Sequence, residues 1–505
     1  MSYAFRLSVV LGLCASAFAE NVVFPPDSGV VDLTQAPYGA KGDGQTDCTA
    51  AIQRALDELN CQNRILWLPD GTYLVSNTLK WGGTNNANNQ KRTILQGQSE
   101  AGVIVRLKDA CAGFGDPARP KPVIWTGTLP AQRFRNAVRN LTIDVGKGNP
   151  GANGMHFYAN NQGAVRNVTI RTGDAGNIGL DLAMGDQGPC LIKDLKVIGF
   201  ETGIFTKHGT ASITFANITL EGQKKVGFLN LGQCIFVENL SSRNAVTALS
   251  SPDKSGVVYL VNAGLAGTGG AADVPALQNG AFFFARNVKT TGYRHALESK
   301  PEKAEAATVE GDIEEFSSHP PQALFPNDGK SLALEIRPTP EVPWDDPQDW
   351  IAPVAFGGKP DDEGDDTQAL QQALDAGKPT VYLPNGSWKL SGDLRIRGAV
   401  RRFVGCEARF KGEGRILIED GEAPVLAFER IEMNYTRIGV EVNTARTVVF
   451  ANTTLALGLK ARGATLFFDD VCGYPFEFVK CRVWARQLNP EGSEGPRVLN
   501  DGGTV

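Results

Sequence analysis

Several things are scarce in this 505-residue chain, and each scarcity excludes something. There are only four histidines, no Cys/His cluster at zinc spacing and no Lys/Arg run. A structural zinc site is therefore not expected, and at a net charge of −5 neither is a nucleic-acid-binding surface. GKGNPG at Gly146 follows a strand-like run but opens no helix, so it is not a phosphate cradle. Beyond the N-terminus no stretch reaches the ~18 apolar residues of a membrane span. No metal site, cofactor or membrane span is expected, and the chain is read as a monomer.

Glycine, by contrast, is plentiful. Its 57 residues exceed the usual fraction of about 7% and suit a turn-rich, all-β chain. Length alone gives a prior of about three ordinary domains, though repeat folds run longer. The first residues read as a secretory signal: Arg6 supplies the charge, Leu7–Leu13 the apolar core, and Ala17-Phe18-Ala19 a small-residue cleavage site before Glu20. The expected location is extracellular or periplasmic. Setting Cys14 aside leaves eight cysteines, an even number in a disulfide-permissive compartment. Cys48 and Cys61 flank a helix and lie ~20 Å apart along it, too far to bond. Cys472 with Cys481 is the better pair.

Two phrases organise the rest. YGAKGDGQTDCTAAIQRALD at Tyr38–Asp57 is followed by WLPDGTY at Trp67, and FGGKPDDEGDDTQALQQALD at Phe356–Asp375 by YLPNGSW at Tyr382. The long phrases align without a gap, which marks an internal duplication. Each reads as a Gly/Asp turn, one amphipathic helix, then strand–turn–strand. Asp47 and Asp365 are placed to cap the helices, and Asp43 reads as a turn residue rather than a metal ligand.

Between the copies run two strand series. Asn140, Asn167, Asp194, Asn217 and Asn239 are spaced 27, 27, 23 and 22 apart within alternating strands, and Asn262 and Asn287 continue them. Glycines 154, 179, 203, 227, 256 and 280 each open another strand at a similar period. Two out-of-phase series with one period mean one coil per period and at least two strands per coil. The expected fold is an all-β, right-handed parallel β-helix solenoid, in two tandem units each opened by a short helix. The Asn series is expected to form an inward hydrogen-bonded ladder, with Asn434 and Asn452 as members in the second unit. Asn140, Asn167, Asn217 and Asn239 also lie in glycosylation sequons, where the ladder reading is preferred. The divisions are 1–19 signal, 28–335 first β-helix, 336–349 linker and 350–505 second, shorter β-helix, whose C-terminal turn phrase reads as truncated.

The duplicated phrase resembles the pectate-lyase-like β-helix superfamily, with its rhamnogalacturonase and epimerase-like branches. Its occurrence twice is similar to the tandem arrangement of exo-β-1,3-glucanases. The resemblance implies a polysaccharide substrate and glycoside hydrolysis. Its alternatives are β-elimination on a uronan, with calcium, or a non-catalytic carbohydrate-binding or surface-structural β-helix. It fixes no catalytic residue: the polygalacturonase motifs have only out-of-order echoes at Asp469-Asp470, Lys207-His208-Gly209 and Arg395-Ile396-Arg397.

Strand phase offers candidates independently. With the residue after each glycine inward, His156, Asp181, Phe205, Leu229, Val258 and Phe282 form one outward column. Tyr158, Ala183, Lys207, Leu231, Leu260 and Phe284 form the other. Both columns turn apolar at the fourth coil, so the connection or the second unit is expected to cover that part and leave the polar part beside a groove. The candidate catalytic residues are His156, Asp181, Lys207 and Glu201. Tyr158, Phe205, Asp186 and His208 are the candidate substrate contacts. His156 and Asp181, one coil apart, are the material for acid–base work.

Overall fold

The computed structural model describes residues 20–82, 90–127, 133–208, 211–322, 326, 328–492 and 495–505. The expected signal segment lies outside them. Strands dominate, and among the described residues the α-helices are Thr49–Glu58 and Thr367–Leu374. Each helix follows its duplicated Asp as expected. Asp47 Oδ1 accepts from Thr49 N at 3.0 Å and Asp365 Oδ1 from Thr367 N at 3.1 Å. Asp43 Oδ1 accepts from the N–H groups of Gln45 and Thr46, so it does turn duty.

In the first unit long strands stack in parallel, coil on coil: Ala137–Asp144, Gly163–Arg171, Cys190–Ile198, Ser212–Glu221, Cys234–Asn244, Val257–Gly267 and Phe282–Thr291. Each is bent where the chain takes a left-handed conformation. The seven residues there, Asn140, Asn167, Asp194, Asn217, Asn239, Asn262 and Asn287, have φ between 52° and 60°. Asn and Asp tolerate that region best among residues with a side chain. Amides bond along the axis, as in Asn167 Nδ2 to Asn140 Oδ1 at 3.0 Å and Asn239 Nδ2 to Asn217 Oδ1 at 2.9 Å. The ladder expected from the sequence is present, but it faces outward. The left-handed residue breaks alternation, so Lys193 and Asp194 both point out while Ile192 and Leu195 bracket them in the core. Asn217 and Asn287 are exposed, and of the seven only Asn140 is buried.

A second sheet of short strands completes each coil: Lys121–Trp125, Ala152–His156, Ile178–Leu182, Thr202–Lys207, Val226–Leu231, Leu249–Ser251, Leu277–Asn279 and Leu297–Ser299. Met155, Leu180, Ile204 and Phe228 face the core in register, as the glycine phase required. The phrases at Gly256 and Gly280 do not continue this series. They open long strands, and the true rungs are the three-residue strands at Leu249 and Leu277. Strands Ala307–Val309 and Ile313–Ser317 then fold back antiparallel and cover the end of this unit.

The second unit repeats the plan over Trp350–Asp501. Its core holds a file of rings, Phe403, Phe428, Phe450 and Phe468, with successive centroids 5.4, 5.5 and 5.4 Å apart. Its left-handed corner is occupied by Glu407, Arg430, Asn452, Asp470 and Gln487, with φ from 47° to 62°. Asn452 is a ladder member as expected. Asn434 is not, because it lies in the turn beside Tyr435.

The two units lie side by side, and residues 21–30 strap them together. Val22 N donates to Gln98 O in the first unit, and Tyr382 Oη in the second donates to Asp27 Oδ1. Phe24 packs against apolar clusters of both units and meets Trp350 edge-on at 6.2 Å. All eight described cysteines are free thiols. The expected Cys472–Cys481 bond is absent, and both side chains are buried as small apolar groups.

Candidate functional site

On the outer face of the short-strand sheet, strand registers set Lys80, Trp125, His156, Asp181, Phe205, Leu229, Ser250, Gln278 and Glu298 in one column. Its later part is therefore polar. The expected apolar turn came from Val258, which is in the core, and Phe282, which belongs to the other sheet. His156 and Asp181 are neighbours, with Nδ1 to Oδ2 at 4.0 Å, beyond a hydrogen bond. Asp181 Oδ1 accepts from Ala183 N at 3.0 Å. The imidazole is largely covered and tilts toward the Trp125 ring at 6.5 Å. Burial pushes its pKa down against the pull of Asp181, so it is a neutral acceptor at neutral pH. Its Nε2 is buried without a hydrogen-bond partner among the described residues.

The other candidates divide. Phe205 sits one rung beyond Asp181, Lys207 ends the same strand and His208 follows it, both exposed. Tyr158 does not face outward. It is fully buried, and its hydroxyl donates to Gly185 O beside Asp186. Asp186 occupies a left-handed turn position and its backbone oxygen accepts from Asn160 Nδ2 at 2.7 Å. Glu201 is not brought to Asp181. It lies four residues before Phe205, ~13 Å away at ~3.3 Å per residue, and pairs with Lys225 at 3.2 Å. A retaining glycosidase pair, ~5–5.5 Å apart, cannot be built from those two.

A second constellation, not expected from the sequence, fills the seam between units. Glu407 lies between Arg135 at 2.6 Å and Arg139 at 3.0 Å, all three at 4% exposure or less. Asp469 meets Lys193 at 2.6 Å and Arg166 at 3.8 Å, and Glu432 pairs with Arg409 at 2.9 Å and with Arg92. Burial would raise both carboxyls, yet the surrounding cations hold Asp469 and Glu432 down at about 2. Asp470 is the exception. Burial pushes it up to about 7 despite the nearby Arg166, and Asn452 Nδ2 donates to it at 2.6 Å. A sign of this seam was visible: a cation directly precedes the ladder residue at 139, 166 and 193. The rims of the units also touch where Asn161 Nδ2 donates to Glu491 at 2.5 Å and Gln162 to Thr454 at 2.5 Å. Past the strand Arg482–Pro490 the seam opens into a cleft of about 510 Å3, between Phe236 and Tyr259 on one side and Arg486 and Gln487 on the other.

These features define a tandem parallel β-helix protein. Residues 36–270 match the family described as rhamnogalacturonase A/epimerase, pectate lyase-like, so the pectate-lyase-like resemblance is shown there. A glucan 1,3-beta-glucosidase of Cochliobolus carbonum is 27% identical over 184 residues, 35% of this chain and 21% of that protein. The chain thus spans about a fifth of that relative's length. Among solved structures, a GH87 alpha-1,3-glucanase catalytic unit from Streptomyces thermodiastaticus is 13% identical, with a TM-score of 0.32 over 95% of this chain and 69% of that one. An iota-carrageenase from A. fortis is 16% identical, with a TM-score of 0.33 over 52% of this chain and 58% of that one. Neither says anything about chemistry here. No described helix is long and apolar enough to cross a membrane.

Proposed function

We propose that the protein is a secreted glycoside hydrolase acting on an extracellular polysaccharide, a β-glucan in the first instance. The likeness to a glucan 1,3-beta-glucosidase carries this reading, together with tandem β-helices packed side by side. The candidate reaction face is the column at His156 and Asp181, extended by Phe205, Lys207 and His208 and bordered by the Tyr158–Asp186 loop. Asp181 supplies a carboxylate for an oxocarbenium route. The neutral His156 accepts a proton or orients a water, and a second carboxylate is required.

A polysaccharide panel tests this, with neutral β-glucans set against pectins and alginate. Reducing ends from a glucan, lost in Asp181→Asn, are the expected result. The lyase reading is favoured by one observation, the uncommitted Nε2 of a neutral His156, which suits a base. Ultraviolet absorbance of an unsaturated uronide, without activity on glucan, would replace hydrolysis by elimination. Silence of a folded preparation on every substrate would sink both.

A further inference from the structure

We infer that Asn434 is a modification site and carries an N-linked glycan. The inference rests on the secreted reading above, because the modification needs an export compartment. Asn-X-Ser/Thr sequons lie at Asn140, Asn167, Asn217, Asn239, Asn385, Asn434 and Asn452. A glycan is bulky and hydrated, so a folded chain keeps it only where its asparagine stands clear of the packed structure. The fold denies that to all but Asn434. Asn140 and Asn452 are buried. Asn385 Nδ2 reaches across the seam to Asn63 O at 2.8 Å and also donates to Cys406 O at 3.0 Å. Asn167, Asn217 and Asn239 are rungs of the ladder, with Nδ2 donating to Asn140, Asp194 and Asn217 at 3.0, 2.7 and 2.9 Å. Their amides are clamped between coils ~4.8 Å apart, where a sugar on one rung meets the next.

Asn434 stands elsewhere, in the turn between strands Val425–Glu432 and Arg437–Val442. Thr436 closes that turn, its N and Oγ1 both donating to Met433 O at 3.3 and 2.9 Å. Asn434 and Tyr435 form the tip, and both are exposed. This is the setting a sequon needs, a surface turn with the hydroxyl two residues on. Among the described residues Asn434 Nδ2 donates to Glu432 Oε1 at 2.8 Å. A side-chain amide has two N–H donors, so one bond to sugar leaves that hydrogen bond in place. The Tyr435 ring beside it offers an apolar face to the first sugar. The donor is an oligosaccharide carried on a lipid pyrophosphate. Asn434 Nδ2 bonds to the anomeric carbon as that carbon's bond to the pyrophosphate oxygen breaks. The lipid pyrophosphate leaves with the electron pair, and the amide gives up one proton.

The test is secretion of the full chain from a yeast host, then treatment with a peptide N-glycosidase in heavy-oxygen water and peptide mass mapping. The expected result is a secreted band whose mobility rises on deglycosylation, with the heavy-oxygen label at position 434. Asn434→Gln and Thr436→Ala should each abolish the shift, whereas Thr436→Ser, which restores the hydroxyl, should keep it. Asn434→Gln should melt as the deglycosylated parent does, so that its lost shift reports the glycan and not the fold. A folded parent in the medium without a shift would overturn the inference. So would a shift that persists in Asn434→Gln, or a label found only at the ladder asparagines 167, 217 and 239. The secretion reading fails separately, by a chain that stays in the cell. The host's own leader in place of residues 1–19 then decides the glycan by the same measurement.

Discussion

Both units turn the same left-handed corner once per coil, yet they fill it with opposite chemistry. In the first unit the corner is Asn or Asp throughout, points away from its own core, is buried only at Asn140, and forms amide bonds between four pairs of coils. In the second it is Glu407, Arg430, Asn452, Asp470 and Gln487, buried against the neighbouring unit. A corner that only closes a coil needs tolerance of positive φ, which Asn supplies. A corner that also forms a joint needs side chains long enough to reach across. These carry charge, and burial makes each charge depend on a partner.

That contrast can be broken from either side. Glu407→Gln should have the largest effect, because it strands two buried guanidiniums. Loss of one partner of a buried ion pair costs ~3–5 kcal/mol, readable by denaturant unfolding. Asp470→Asn probes the other extreme. Its folded pKa, about 7, is raised above the ordinary 3.8, so the native state holds a proton that the unfolded chain has released. Asp470 therefore makes stability fall as pH rises from about 4 to about 7. Asp469 and Glu432, held at about 2, act oppositely: their stabilisation is present above about 4 and is lost as pH falls toward 2. Melting temperatures across this range should lose their decline above pH 4 in Asp470→Asn and keep their acid limb. An unchanged profile would remove Asp470 from the account.

Smaller effects belong to the self-satisfied corner. Asn239→Ala loses a ladder bond and a residue suited to positive φ, for ~1–2 kcal/mol, while Asn239→Gly should recover the conformational part. A loss as large as that of Glu407→Gln would erase the distinction. Smallest should be Asp365→Ala before the second helix, ~1 kcal/mol for the bonds it accepts from Thr367. Asp47→Ala should cost more, since Asp47 also holds Lys108 at 2.9 Å.

How much of this was legible follows from the same contrast. The first ladder repeats Asn, with one Asp, at spacings of 22 to 27, so its members, and the β-helix with them, could be read directly. The second ladder keeps the period loosely, at spacings of 23, 22, 18 and 17, and repeats no residue type. Only Asn452 was found. The short-strand sheet was lost after Leu229 because its rungs at Leu249 and Leu277 are three residues long, whereas GVVYLV and GAFFFA imitate the missing phrase. The adjacency of the His156 and Asp181 backbones is legible because one coil period fixes it, but the 4.0 Å between their side chains is not. Glu201 was placed with them although it lies at the other end of its strand. The cleft could not be read, because neither unit's own period says which face meets the other.

The joint is the central claim, and a double-mutant cycle between Arg139 and Glu407 tests it most directly, with Arg139→Met, Glu407→Gln and the pair compared by equilibrium unfolding. A pair buried in one seam should show a coupling energy above ~1 kcal/mol, with the double variant recovering part of the single losses. Additivity within ~0.5 kcal/mol would mean that the residues do not meet and that the two β-helices are not joined along this face.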